Sequence, residues 1–109
     1  MSLSLRGPWQ QTHSGRMFFP GDPRPEEIHL VDVAHGLSHI CRFAGQCRCF
    51  YAVGEHCVRV SLLLERWGFV ELALTGLLHD GSEAFLVDMP KPVKILLPDY
   101  SLIGGKHLA

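Results

Sequence analysis

The sequence predicts a small all-α protein, on three observations. Apolar residues recur at spacings of three and four in two stretches, Val33, Leu37, Ile40 and Val53, Cys57, Val60, Leu64, Trp67. That is the period of helices with one buried face. Gly45 and Gly68 stand just past those stretches, where a helix can end on a left-handed residue. At 109 residues the chain is one domain at most, close to the lower end of comfortable single-core size.

Residues 1–27 read as an irregular N-terminal segment, because Gly7-Pro8, Gly15, Pro20-Gly21, Pro23 and Pro25 punctuate it too often for a helix. Trp9, Phe18 and Phe19 are expected to pin it to the body by burial. Ile28, His29 and Leu30 read as a short extended stretch. A first helix is predicted over residues 32–41, starting at Asp32, with Arg42-Phe43-Ala44-Gly45 breaking it. A second is predicted over residues 51–67. His56 falls between Val53 and Val60 by turns of three and four, so it faces inward with the stripe.

The third predicted helix covers residues 69–80 and sets Leu74, Leu77 and Leu78 against the second. So short a gap at Gly68 makes the two an antiparallel or sharply bent pair. Residues 82–86 add one or two helical turns. Asp88-Met89-Pro90-Lys91-Pro92-Val93-Lys94 cannot continue a helix, since two prolines remove donors and constrain the residues before them. Residues 98–103 begin a further helix that Gly104-Gly105 ends, leaving 104–109 as a tail.

Composition narrows the function classes. A net charge of −1 with both signs interspersed gives no footprint for a nucleic-acid polymer. No stretch approaches the roughly 18 apolar residues that cross a bilayer, and no apolar region follows the N-terminus as in a signal peptide. The expectation is a soluble, cytoplasmic protein. Cys41, Cys47, Cys49 and Cys57 form no Cys-x-x-Cys pair, so reduced, half-buried thiols are expected rather than structural zinc.

The chemistry concentrates at His79-Asp80. An imidazole nitrogen and a carboxylate oxygen at nearly one point of the backbone suit a divalent cation of borderline hardness, such as Zn, Mn, Co or Ni. Consecutive helical residues diverge by about 100°, so another ligand must come from elsewhere. His56 is the obvious donor. His35 and His39 also have metal-ligand spacing, though one solvated and one packed face is the expected outcome for them.

Five ordered segments then carry a resemblance. They are Phe18-Phe19-Pro20 with Pro23-Arg24-Pro25; Asp32-Val33-Ala34-His35-Gly36-Leu37-Ser38; Cys41-Arg42-Phe43-Ala44-Gly45; Phe50-Tyr51-Ala52-Val53-Gly54-Glu55-His56-Cys57-Val58; and His79-Asp80-Gly81-Ser82-Glu83-Ala84 with Asp88-Met89-Pro90-Lys91-Pro92-Val93-Lys94. With these the chain resembles the HD-domain metal-dependent phosphohydrolases, in particular the 5′-deoxynucleotidase-like and phage-type subgroup. The resemblance implies an HD-domain helical bundle, with its family-like helical core in residues 28–103.

It implies a divalent metal ion (Mn, Co, Zn, Ni or Mg) held by His56, His79 and Asp80. Glu83 then resembles the acid beside the site, Asp88 the carboxylate that activates water or protonates the leaving oxygen, and Arg42 the phosphate-contacting arginine. Lys94 matches a family position with its role left open. The family pattern also has a distal aspartate, for which Asp99 lies too close to the proline-rich segment, so the resemblance implies a C-terminally shortened and partial bundle. The same subgroup usually carries histidine where Gln46 stands.

Two functions follow as expectations. One is a metal-dependent phosphoric ester hydrolase that releases phosphate from a small, nucleoside monophosphate-like nucleotide by metal-activated water. The other is a catalytically weak or inactive shortened relative that binds metal, nucleotide or a partner subunit, a homo-oligomer included. Each site residue also has a structural reading: helix-end histidine for His79, core histidine for His56, surface acids for Glu83 and Asp88, and neutralisation of a helix C-terminus for Arg42.

Overall fold

The computed structural model describes residues 5–100 and Ile103, and among these residues five α-helices joined by short 3-10 turns dominate. The all-α expectation holds. The N-terminal segment is more ordered than its glycines and prolines suggest. Strands β1 (Gln10–Gln11) and β2 (Met17–Phe18) pair antiparallel, Gln10 with Phe18 and Gln11 with Met17. Gly15 closes the turn at φ 86°, its N–H donating to the Thr12 carbonyl. Two-residue strands are too short to show the alternation that marks a strand in sequence.

Phe18 and Phe19 are buried as expected, and Phe18 stacks on Phe85 at 4.1 Å. Trp9 is not a pin: it stays 38% exposed. Arg6 ties the segment together from within. Its guanidinium lies 4.0 Å from the Phe19 ring centroid and binds the carboxylates of Asp22 at 2.9 Å and Glu27 at 2.6 Å. A 3-10 turn at Pro25–Glu27 follows, and Ile28 and His29 are extended.

Helix α1 runs Leu30–Ser38, shifted toward the N-terminus from the predicted 32–41. Asp32 therefore lies inside the first turn, only 4% exposed, and its carboxylate accepts the Ser14 N–H and hydroxyl, each at 2.8 Å. The helix stops early because the next backbone groups find other partners. Arg42 N–H donates to Tyr51 O at 2.8 Å and Val53 N–H to Ile40 O at 2.9 Å, around a bridge between Cys41 and Ala52. That pairing satisfies groups that a longer helix would have used. Beyond it Phe43 (φ 61°), Ala44 (φ 53°) and Gly45 (φ 79°) are all left-handed. The conformation costs about 1–2 kcal/mol for each of the two residues that carry a Cβ.

Helix α2 (Val53–Arg66) ends as its glycine predicts. Gly68 sits at φ 87°, its N–H bonded to Glu65 O and the Phe69 N–H reaching back to Leu64 O. This double closure satisfies the last carbonyls. Val53 and Cys57 are buried with Val33 and Leu37 in the core, and Val60 and Leu64 are half-buried. Trp67, expected on the same stripe, is 67% exposed. As the capping residue, at ψ 5°, it has left the helical path.

The third helix starts differently from expectation. A 3-10 turn at Val70–Leu72 precedes α3 (Ala73–Leu78). Three residues per turn instead of 3.6 shift the phase of the face, so Ala73 and Gly76 are buried and Leu77 half-buried, while Leu74 and Leu78 are exposed. A Cβ at Gly76 would lie 2.6 Å from Leu64 Cδ1 and 3.2 Å from Val60 Cγ1, which measures how closely α3 approaches α2. Ser61 Oγ donates across the same contact to Ala73 O at 2.7 Å.

Helix α4 (Glu83–Leu86) is the expected short turn. It packs on α1 where Gly36 leaves room: a Cβ there would be 2.9 Å from Ala84 O and 3.0 Å from Ala84 Cβ. Val87 at φ 64° ends it. The proline-rich stretch does not prolong α4, but it is not helix-free, since α5 (Lys91–Ile95) begins there. Pro92 lies in its first turn, where no intrahelical donor is missed. Pro98–Tyr100 and Ile103 are helical; residues 1–4, 101, 102 and the tail 104–109, with His107, lie outside the described residues.

No described helix is long and apolar enough to cross a membrane. An apolar groove of about 340 Å³ opens between α1, α2 and α3, with Leu30, Val33, Leu37, Val58, Leu77 and Leu78 in its lining.

Candidate metal centre

Helices α2 and α3 bring together the three residues proposed as ligands. His56 projects from the inner side of α2, and His79 and Asp80 follow the last turn of α3. The imidazole centroids of His56 and His79 are 5.3 Å apart, edge to face. One ligand atom from each of His56, His79 and Asp80 lies within 4.8 Å of the others, and this group could hold a metal ion. Asp80 Oδ2 is 3.0 Å from His79 Nε2 and 3.7 Å from His56 Nε2. Donors each about 2.0–2.2 Å from one ion lie roughly 2.8–3.6 Å apart at octahedral to tetrahedral angles; the 3.0 Å pair lies in that range, and the wider separations close only if the side chains draw in around an ion.

Protonation and orientation fit as well. Burial pushes the His56 imidazole below its ordinary pKa, the Arg42 guanidinium pushes it further, and the Asp80 carboxylate opposes both. A neutral ring is what a metal needs. His79 uses Nδ1 against the Gly76 carbonyl at 2.5 Å. As the carbonyl can only accept, that contact holds a proton on Nδ1 and makes Nε2 the ring atom that faces Asp80. Two imidazoles and one carboxylate suit Zn, Co, Ni or Mn better than the all-oxygen preference of Mg.

Around this trio stand the other residues singled out in the sequence. Glu83, at the start of α4, is half-buried, and its pKa is pushed up to about 7. Burial contributes most, then the nearby carboxylates of Asp80 and Asp88, against Lys94 and Arg42. Asp88 acts electrostatically on both His56 and Glu83, so it belongs to the same neighbourhood. Arg42 reaches it from the 40–53 bridge, its guanidinium resting 4.6 Å from the Phe43 centroid and 5.4 Å from that of Tyr51. It does not sit at a helix C-terminus, since α1 has ended at Ser38.

Three contributors had no role in the sequence reading. The Gly76 carbonyl orients His79, but a backbone group leaves no signature in a sequence. Lys94 draws the Glu83 pKa down from α5. Tyr100 donates its hydroxyl to the Val87 carbonyl, and its pKa is raised by burial and then by Glu83. The resemblance marked Lys94 without giving it a role, and the prolines concealed the helix α5 whose phase aims it at the site.

The remaining candidates fall elsewhere. His35 stacks between His13 at 3.6 Å and His39 at 3.9 Å, and parallel rings do not converge their nitrogens on one ion. All four cysteines are free thiols; Cys41 and Cys47 approach each other, whereas Cys49 is exposed and joins no group of three metal donors.

No protein-family model matches the chain. It is similar to the uncharacterized protein YfdR of Escherichia coli, 42% identical over 96 residues, which is 88% of this chain and 52% of YfdR. It is also similar to the uncharacterized protein RCAP_rcc00048 of Rhodobacter capsulatus, 39% identical over 100 residues, or 83% of this chain and 48% of that protein. The chain thus spans about half the length of the curated relatives it matches.

Proposed function

We propose that the protein is a metal-dependent phosphohydrolase of the HD-domain kind, acting in the cytoplasm on a small nucleotide such as a nucleoside monophosphate. The observation that carries this reading is the convergence of His56, His79 and Asp80 from two helical segments onto one point, with a carboxyl of pKa about 7 beside it. A divalent ion bound there supplies polarisation of a phosphoryl oxygen and acidification of water. Arg42 offers a planar fork to the phosphate oxygens. Glu83, with a pKa near the working pH, accepts a proton from the attacking water and passes it on. Asp88 keeps Glu83 basic enough for that role and is the carboxylate assigned here to the leaving oxygen.

The test is phosphate release from a panel of nucleoside monophosphates with Mn²⁺ or Co²⁺ added, repeated after chelation. Release that stops on chelation and in His79→Ala supports the reading. Unchanged activity in His79→Ala overturns it.

A second reading is favoured by the apolar groove between α1, α2 and α3 and by exposed Leu62, Leu74 and Leu78. Here the protein binds metal or nucleotide without turnover and associates with a partner subunit through that surface. Metal binding without phosphate release, together with a dimer mass by light scattering, would select it.

A further inference from the structure

The loop between Cys41 and Phe50 carries a thiol pair that neither metal nor substrate explains. Cys41 Sγ and Cys47 Sγ are 3.5 Å apart, six residues apart in sequence. Both are half-buried rather than sealed. The approach is built by the backbone. The bridge between Cys41 and Ala52 fixes one end of the loop, and three successive left-handed residues, Phe43, Ala44 and Gly45, turn the chain back on itself. Gln46 N–H to Phe43 O at 2.9 Å and Cys47 N–H to Gly45 O at 2.8 Å hold that reversal. Cys47 Sγ also donates to Cys49 O at 3.1 Å. The sulfurs are about 1.5 Å beyond bonding distance, a gap that small side-chain rotations can close.

We propose that Cys41 and Cys47 are a redox site that closes to an intramolecular disulfide when the protein meets a low-molecular-weight disulfide. The Cys41 thiolate attacks one sulfur of the small disulfide, breaking its S–S bond and forming a mixed disulfide. The departing thiolate takes up the proton that Cys41 gave up. The Cys47 thiolate then attacks the Cys41 sulfur, and the second small thiolate leaves and is protonated by the proton of Cys47. Two protein thiols and one small disulfide become one protein disulfide and two small thiols, with two electrons passing from protein to reagent. The closed ring runs from residue 41 to residue 47 and contains Arg42. It therefore restricts the segment that aims the guanidinium toward the site. This last consequence rests on the proposed role of Arg42; the disulfide itself does not.

The experiment uses the full chain, reduced and then exposed to oxidised glutathione at about pH 8, alkylated with iodoacetamide and digested with trypsin. Cleavage after Arg16, Arg42, Arg48 and Arg59 separates Cys41, Cys47 and the pair Cys49 and Cys57 onto three peptides. The expected product joins peptide 17–42 to peptide 43–48, with both alkyl groups on 49–59. Cys47→Ser should trap the glutathione adduct on Cys41, and Cys49→Ser should leave the link unchanged. Closure should be at least about tenfold faster in the folded chain than in urea, since the fold supplies the proximity. Four alkylated thiols, a link through peptide 49–59, adducts that never close, or equal rates in urea would each overturn the proposal. None of these readouts depends on hydrolysis, so its failure and that of the hydrolase reading are separable.

Discussion

Asp32 lies buried under the N-terminal ribbon and Glu83 half-buried at the start of α4. Burial raises the Asp32 pKa, but the Ser14 hydroxyl and amide hydrogens more than reverse this, and it ends below the ordinary aspartate value. Around Glu83 burial acts in the same direction, and the neighbours reinforce it: Asp80 and Asp88 are carboxylates too, and the pKa is pushed to about 7. Burial alone therefore decides neither fate. Donors turn one acid into a structural fastening, and like charges keep the other ready to exchange a proton.

The strongest way to break this comparison is to delete one acid from each region. Asp80→Ala should lower divalent metal affinity at least about 100-fold, a loss of about 3 kcal/mol or more, with a nearly unchanged melting temperature; calorimetric titration with Mn²⁺ or Co²⁺ reads it. It should also bring the Glu83 pKa down, because one of the two opposing carboxylates is gone.

Asp32→Ala should do the reverse. It removes two charge-assisted hydrogen bonds from the exposed Ser14, whose donors can turn to water, and should cost about 1–3 kcal/mol of stability by urea unfolding, while metal affinity stays within about twofold of the parent.

pH sharpens the contrast through its sign. In metal-free protein the folded Glu83 holds its proton up to about pH 7, whereas the unfolded carboxyl loses it near its ordinary value of 4.5. Between those values the native state binds more protons, so stability falls as pH rises. After discounting for partial exposure the fall should be about 1–2 kcal/mol, and Glu83→Gln should flatten it. Asp32 contributes in the opposite sense. Its stabilisation is present above about pH 4 and disappears as pH falls through its lowered folded pKa.

The smallest effect marks the baseline. Glu55 is exposed and pairs with Arg59 one turn away at 3.0 Å, so Glu55→Gln should change unfolding stability by less than about 0.5 kcal/mol. A larger change would mean that the surface of α2 matters more than its charges suggest.

The candidate metal centre was legible because its geometry is carried by helical periodicity. Val53, Cys57 and Val60 aim His56 inward, Gly68 turns the chain, and His79-Asp80 follow one short helix later. What stayed hidden depends on contacts between distant residues or on backbone. Asp32 reads as a helix start because Ser14, its partner, is eighteen residues away. Leu74 reads as buried because a 3-10 turn and an α-turn look alike in sequence, yet they set different phases. The ribbon at Gln10 and Met17 is too short to announce itself, and the prolines that end α4 also disguise the start of α5.

Gly36 and Ala84 meet backbone to backbone, so nothing there can swing aside to admit a larger residue. Ala84 is the residue after Glu83, and the seat of the titrating carboxyl is thereby fixed by a missing methyl group on a helix that supplies no chemistry. A bulkier residue at 36 would lever the acid out toward solvent, and its proton would leave at an ordinary acidity although every polar group of the site remained.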